Sequence, residues 1–116
     1  MLKKVNRLRK HYQYNYVYRQ SVRYSGKAMT IYVSPSKTKN IKIGFAVTKK
    51  VGHAVVRNLI RRRLREVVFK SIPSLKQNYN LILSAKDGIE NYTFAELDAE
   101  FQKLVSKADL FNEKNF

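Results

Sequence analysis

The 116-residue chain contains no cysteine, so it can form neither disulfides nor thiolate metal sites, and this composition agrees with a reducing cytosol. No apolar run approaches the roughly 18 residues that span a bilayer. The opening residues MLKKVNRLRKH lack the apolar segment of a signal peptide. We therefore expect a cytoplasmic protein with no membrane partner. A membrane-surface arm or a transit peptide is the alternative for this basic start, but the tyrosines that follow are more typical of a folded element.

Negative charge is scarce and confined to one part of the chain. Eight Asp and Glu residues stand against 24 Lys and Arg, the net charge is +16, and the first acidic residue is Glu66. Such an excess repels itself unless a polyanion is near, and clustered basic side chains are typical of nucleic-acid-binding proteins. A solvated basic surface is the alternative. Because 44% of the residues are hydrophobic, residues 1–116 can still form one domain with a buried core.

Groups for acid–base or metal chemistry are also few. A protein that cut RNA itself would need a general acid and base, or carboxylates that hold metal ions. The two histidines, His11 and His53, have no carboxylate near them in the sequence. Glu96, Asp98 and Glu100 are the only acidic cluster, and with lysines following on the same helix they are typical of a solvated face. We expect no catalytic residue and no metal site in this chain.

Alternation of apolar residues predicts three strands. Residues 28–33 and 41–47 are β-rich, and Pro35 lies in the polar stretch between them, which predicts an antiparallel hairpin. Residues 79–85 predict a third strand, followed by an Asp87-Gly88 turn. The tyrosine-dense residues 10–20 fit both a helical and an alternating spacing. Periodicity therefore leaves this first segment open between helix and strand.

Two helices are predicted in the second half of the chain. Residues 53–70 switch to a helical period, with an apolar face that includes Ile60 and Leu64. Thr93 and Glu96 have the spacing of a capping box at the start of a last helix. The predicted core positions of that last helix are Phe94, Leu97, Phe101, Leu104, Val105 and Ala108.

The helix predicted at residues 53–70 carries a second, basic arc of roughly 140° beside its apolar one. Its members are Arg57, Asn58, Arg61, Arg62 and Arg65. Arginines one turn apart repel each other, whereas their planar guanidinium groups suit phosphate. Lys49, Lys50 and the peptide N–H groups near Gly52 lie at the N-terminal end, where the helix dipole favours an anion. The pattern indicates a phosphate-binding face. The alternative is an ordinary charged face, which would normally mix both signs.

Residues 48–66, TKKVGHAVVRNLIRRRLRE, resemble the signature of the bacterial ribonuclease P protein subunit. That signature has a Lys-Lys pair, a Gly, an Ala, then Arg-Asn, spaced basic residues and Arg-Glu. The resemblance extends over almost the whole chain, from Arg7 to Phe111. It implies a single α+β domain with a small central sheet and about three helices, in the order α-β-β-α-β-α. It also implies a left-handed crossover through the basic helix, where physical priors alone favour a right-handed one.

The resemblance further implies a function. The chain would be an auxiliary protein that binds a catalytic RNA and precursor tRNA and assists removal of the 5′ leader. The catalytic centre would lie in the RNA subunit, with no cofactor bound by the protein alone, Mg²⁺ held mainly by RNA and phosphates, and no protein partner required. The residues that would face the catalytic RNA are Lys49, Lys50, Gly52, Arg57, Asn58, Arg61, Arg62 and Arg65. A cleft between the first helix and the sheet would hold the leader, lined by Tyr14, Tyr18 and Tyr32.

Two departures from the family pattern bear on these residues. Tyr14 and Tyr18 stand where phenylalanine is usual, and His53 stands where asparagine is common. Tyrosine also presents a π face to a base, and stacking contributes about 1–3 kcal/mol per base. The alternative for Tyr14, Tyr18 and Tyr32 is that they are core residues. For the whole chain, the alternatives are a structural ribosomal protein, a self-sufficient nuclease and a DNA-binding factor.

Overall fold

A computed structural model describes residues 6–112 and contains three helices and four strands. In chain order these are α1 (His11–Gln20), β1 (Val22–Ser25), β2 (Met29–Pro35), β3 (Lys42–Ala46), α2 (Ala54–Phe69), β4 (Tyr79–Ala85) and α3 (Phe94–Lys107). Short 3₁₀ turns at Ile72–Ser74 and Ile89–Asn91 flank β4. The predicted α+β class and element order are confirmed, and β1 is an additional strand that the sequence patterns did not reveal. Within the described residues, no helix has the length and apolar character to cross a membrane.

The four strands form one sheet in the order β1-β2-β4-β3. β4 pairs antiparallel with β2 and parallel with β3, where Ile43 lies opposite Leu81. The predicted antiparallel hairpin between residues 28–33 and 41–47 is therefore wrong, because β4 lies between those two strands. The reason is burial. Leu81, Ile82 and Leu83 are all fully buried, and a strand that is apolar on both faces belongs in the middle of a sheet.

The sheet separates two hydrophobic clusters. One face carries Ile31, Val33, Ile43, Leu81 and Leu83, and it packs against α2 and α3 in the main core. The helix residues buried in that core are Ile60, Leu64, Val67 and Val68 of α2, and Leu97, Phe101, Leu104 and Val105 of α3. The other face carries Ile82, which packs against Leu8 and Val17 of the N-terminal segment and α1. We call it the α1 face.

The tyrosine-dense segment is a helix, which settles the choice that its spacing left open. Its first turn is held by Gln13, whose side-chain oxygen accepts hydrogen bonds from the Arg9 and Lys10 N–H groups at 2.8 and 2.9 Å. Before α1, the Leu8 N–H donates to the Ile43 carbonyl at 2.9 Å, so residues 7 and 8 run along the outer edge of β3. Since α1 also contacts β2, it runs across the sheet from the β3 edge towards β2.

The predicted start of the last helix is confirmed. Thr93 Oγ1 accepts from the Glu96 N–H at 3.1 Å, and Glu96 Oε1 accepts from the Thr93 N–H at 2.8 Å. One predicted core residue is wrong: Phe94 is exposed, with Lys70 Nζ 5.5 Å from its ring centroid. Phe94 has the angular position of the apolar stripe, but as the first residue of α3 it lies at the end of that stripe. Ala108, at the other end, is half-buried.

The predicted solvated face of α3 is wrong at Glu100. Its carboxylate accepts backbone hydrogen bonds from Lys27, Ala28 and Met29 at 3.0, 2.9 and 2.9 Å. A Cβ added to Gly26 would lie 2.5 Å from this carboxylate, so the glycine allows its close approach. Glu100 therefore fastens the β1–β2 turn to α3 and satisfies N–H groups at the start of β2.

Glu100→Ala is expected to lower the free energy of unfolding by about 3 kcal/mol. The substitution leaves backbone donors of two fully buried residues without an acceptor, and hydrogen bonds to charged groups contribute about 1.5–3 kcal/mol each. Chemical denaturation measures the change. Glu90→Ala is the matched control, because Glu90 is exposed and accepts no such bonds. Equal effects of the two substitutions would contradict the anchoring role.

Candidate nucleic-acid interface

The arginine face of α2 carries charge that no described carboxylate neutralises. No carboxylate of residues 6–112 pairs with an α2 arginine; the ion pairs within that range are Lys70–Asp98 at 2.8 Å and Lys76–Asp109 at 3.4 Å. Asn58 orients the Arg61 side chain, because Arg61 Nη1 donates a hydrogen bond to Asn58 Oδ1 at 2.9 Å. The Nε–H of Arg57 is shielded from solvent and has no acceptor among the described residues. This arginine face is therefore ordered, and the part of the chain that the structure describes supplies no counter-charge to it.

The turn before α2 brings two lysines to the helix N-terminus. Val51 is buried and its N–H donates to the Thr48 carbonyl at 3.0 Å, which leaves Lys49 and Lys50 exposed. A Cβ added to Gly52 would lie 3.1 Å from the Val56 side chain, so this position is tightly packed against the first turn of α2. The helix itself begins after His53, whose side chain makes no capping hydrogen bond.

These lysines line an open depression of about 750 Å³, which we call the basic concavity. Its walls are Lys27, Thr48, Lys49, Lys50, Ser84, Ala85, Lys86 and Asp87. Lys27 and Lys86 were not among the predicted residues. Lys86 Nζ donates to Ser25 Oγ at 2.7 Å and to the Gly26 carbonyl at 2.5 Å. Sequence patterns could not find this lysine, because its place beside Lys49 depends on the parallel pairing of β3 with β4.

The structure brings Tyr14, Tyr18 and Tyr32 together on the α1 face. Tyr14 lies over Gly44, where an added Cβ would be 2.6 Å from its ring, and its hydroxyl accepts the Phe45 N–H at 3.1 Å. The rings of Tyr18 and Tyr32 meet edge to face, with centroids 4.8 Å apart and planes at 87°. We call these three residues the tyrosine cleft.

None of the three tyrosines is a fully buried core residue. Tyr18 is 39% exposed, and Tyr14 and Tyr32 are half-buried. Burial, then the nearby phenols of Tyr32 and Tyr14, raise the pKa of Tyr18 above its ordinary value. The Tyr18 hydroxyl is therefore neutral at physiological pH, and it adds no negative charge that would repel a phosphate.

The tyrosine cleft and the basic concavity lie on one continuous surface. In the sheet, Thr30 pairs with Ser84 and Ser84 with Ala46, all beside the cleft on the α1 face. Ser84 also lines the concavity. A strand of nucleic acid could therefore lie on aromatic rings and reach the lysines at the N-terminus of α2 without leaving this surface.

The acidic residues do not gather into a metal site within residues 6–112. Asp98 pairs with Lys70, Glu96 caps α3 and Glu100 holds backbone N–H groups. His11 and His53 are exposed, and neither side chain is hydrogen-bonded to a carboxylate of the described residues. Within that range each of these three carboxylates is therefore occupied by a contact of the fold.

Comparisons with known proteins agree with this architecture. The family model described as Ribonuclease P matches residues 2–109. The Ribonuclease P protein component of Syntrophomonas wolfei is 33% identical over 111 residues, covering 96% of this chain and 93% of the relative. That of Natranaerobius thermophilus is 34% identical over 106 residues, covering 91% and 92%.

Solved structures show the same fold. The RNase P protein of Staphylococcus aureus superimposes with a TM-score of 0.85 at 23% identity, over 94% of this chain and 100% of that one. The RNase P protein of Thermotoga maritima superimposes with a TM-score of 0.79 at 14% identity, over 87% and 96%. The resemblance carried by residues 48–66 is thereby confirmed, and the chain belongs to the ribonuclease P protein family.

Proposed function

We propose that this chain is the protein subunit of ribonuclease P, that it binds the catalytic RNA and the 5′ leader of precursor tRNA, and that it assists RNA-catalysed removal of the leader. The observation that carries the proposal is an arginine face without a described carboxylate partner on one side of the sheet and a tyrosine cleft on the other, with the basic concavity at the N-terminus of α2 adjoining the cleft. Family membership supports a role in a tRNA-processing endonuclease complex. Because bacterial precursor tRNA is made in the cytoplasm, the proposal places the protein there.

The arginine face of α2 is assigned to the catalytic RNA. Arg57, Arg61, Arg62 and Arg65 share that face, and a folded RNA presents phosphates on which planar guanidinium groups can bind in two-point fashion. Lys49, Lys50 and the turn at Gly52 extend the contact at the helix N-terminus.

The tyrosine cleft is assigned to the leader. Sequence-specific pockets would be unsuited to leaders, which differ between tRNAs, whereas stacking on an aromatic ring is tolerant of the base. Tyr18 offers the most exposed ring of the three. Tyr14 has a second role, because its hydroxyl bonds the β3 backbone and its ring covers Gly44. That hydroxyl also explains why tyrosine is accommodated at a position where phenylalanine is usual in the family.

Hydrolysis itself is assigned to the RNA subunit, with Mg²⁺ bound mainly by RNA and phosphates. The protein contributes affinity and positioning through its arginines, lysines and tyrosines. It needs no second protein for these contacts, since both surfaces lie on the one described domain.

Charge removal on the arginine face tests the contact with the catalytic RNA. Arg57→Gln, Arg61→Gln, Arg62→Gln and Arg65→Gln are each expected to weaken binding. Each should also flatten the dependence of log K on log salt by about one ion per lost phosphate contact. Titrations at several salt concentrations measure the slope, and Lys103→Gln on α3 is the control, with an unchanged slope expected. Wild-type slopes in all four arginine variants would refute phosphate contacts at this face.

Tyr18→Ala tests the leader assignment. It should weaken binding of precursor tRNA to the ribonucleoprotein by about 1–3 kcal/mol while mature tRNA, which has no leader, binds as before. Tyr18→Phe keeps the ring and should bind both ligands like the wild type. The measurement is the dissociation constant of the ribonucleoprotein for precursor tRNA and for mature tRNA, with each variant. An equal loss for both would mark Tyr18 as a residue that supports the fold rather than the leader.

A further inference from the structure

α1 crosses the sheet and therefore has two flanks, of which the tyrosine cleft occupies only one. The opposite flank is a separate groove of about 390 Å³ over the beginnings of β3 and β4. The lining residues that matter are Tyr12, Tyr16, Arg19, Thr38, Lys42 and Asn80. We call this the second groove.

Tyr12 and Tyr16 have no evident structural task. They are 67% and 50% exposed, more than any other aromatic side chain of residues 6–112. Neither ring contacts another ring, and neither hydroxyl has a hydrogen-bond partner among those residues. The packing of α1 on the sheet is supplied by Val17 instead. One turn apart on a helix, the two side chains lie about 5–6 Å from each other at Cβ, which presents neighbouring rings to the solvent.

The surroundings of these rings favour a polyanion. Arg19 and Lys42 line the same groove, and no acidic residue precedes Glu66 in the chain. Asn80 lies at the base of the groove, and its side-chain amide has no hydrogen-bond partner among the described residues. An amide of this kind offers a donor and an acceptor to the edge of a base. Exposed aromatic rings beside cations form the kind of surface that binds single-stranded nucleic acid.

A basic route joins the two flanks. Arg23 of β1 lies opposite Tyr32 in the sheet, so the two side chains emerge on the same face. Arg19 follows Tyr18 in the last turn of α1 and lines the second groove. Arg23 and Arg19 thus mark a path around the C-terminal end of α1, from the tyrosine cleft to Tyr16 and Tyr12.

We propose that the second groove binds the continuation of the leader after it leaves the tyrosine cleft, with bases stacked on Tyr12 and Tyr16. This inference rests on the proposed function. The leader is favoured over the catalytic RNA because the second groove lies on the α1 face, whereas the arginines belong to α2 on the opposite side of the sheet. The tyrosine cleft, which adjoins the basic concavity, holds the part of the leader nearer to the cleavage site.

The test is a series of precursor tRNAs whose leaders are lengthened one nucleotide at a time. Dissociation constants are measured for the complex of the protein with ribonuclease P RNA. The Tyr12→Ala/Tyr16→Ala double variant should bind short-leader substrates like the wild type and bind long-leader substrates at least about fivefold more weakly. The Tyr12→Phe/Tyr16→Phe variant should bind every substrate normally, because it keeps both rings. Phe94→Ala, at an exposed ring on α3, should change nothing.

The outcomes separate this inference from the proposed function. If Tyr18→Ala weakens leader binding but the double variant binds every leader normally, the second groove is not a leader site and the proposed function stands. If the double variant loses affinity equally for mature tRNA or for the RNA subunit alone, the groove binds another RNA segment and the inference is overturned. If leader length and Tyr18→Ala both have no effect, the proposed function itself fails.

Discussion

β4 is covered on both faces and paired along both edges, and the other elements depend on that position. Leu81 and Leu83 face the main core, while Ile82 faces Leu8 and Val17 on the other side. Because β4 lies between β2 and β3, the ends of β3 and β4 meet and bring Lys49 beside Lys86. The same strand provides the floor on which α1 lies. The position of β4, with its three consecutive buried apolar residues, thus determines where the basic concavity and the tyrosine cleft lie.

The second constraint is electrostatic. The folded protein has α2 arginines with no carboxylate of the described residues to pair with them, and several lysines converge on one depression. That arrangement is unfavourable for the isolated protein and favourable once phosphates are bound. The carboxylates, in contrast, are used within the fold: Glu100 fastens the β1–β2 turn, Glu96 caps α3 and Asp98 pairs with Lys70. These three carboxylates stabilise the domain, whereas the α2 arginines have no carboxylate partner among residues 6–112.

Local features could be predicted from the sequence, and features that depend on distant pairing could not. The capping box of α3 and the helix at Ala54–Phe69 follow from short-range spacing. The strand that pairs with β2 cannot be predicted in this way, because the alternation of apolar and polar residues in a strand is the same whichever strand lies beside it. β1 is four residues long and mostly exposed, so it has no clear pattern. The hydrogen bond from the Phe45 N–H to Tyr14 joins two residues that are 31 positions apart in the sequence. The hydrogen bonds from the β1–β2 turn to Glu100 span more than 70 positions.

In the proposed function this protein assists an RNA catalyst and is not itself the nuclease. The most direct test is cleavage of a precursor tRNA at low, near-physiological Mg²⁺ by a bacterial ribonuclease P RNA, with and without this protein, beside the protein alone. A protein with this auxiliary role strongly stimulates the RNA and cleaves nothing by itself. Cleavage by the protein alone, or an RNA whose activity the protein leaves unchanged, would contradict that role.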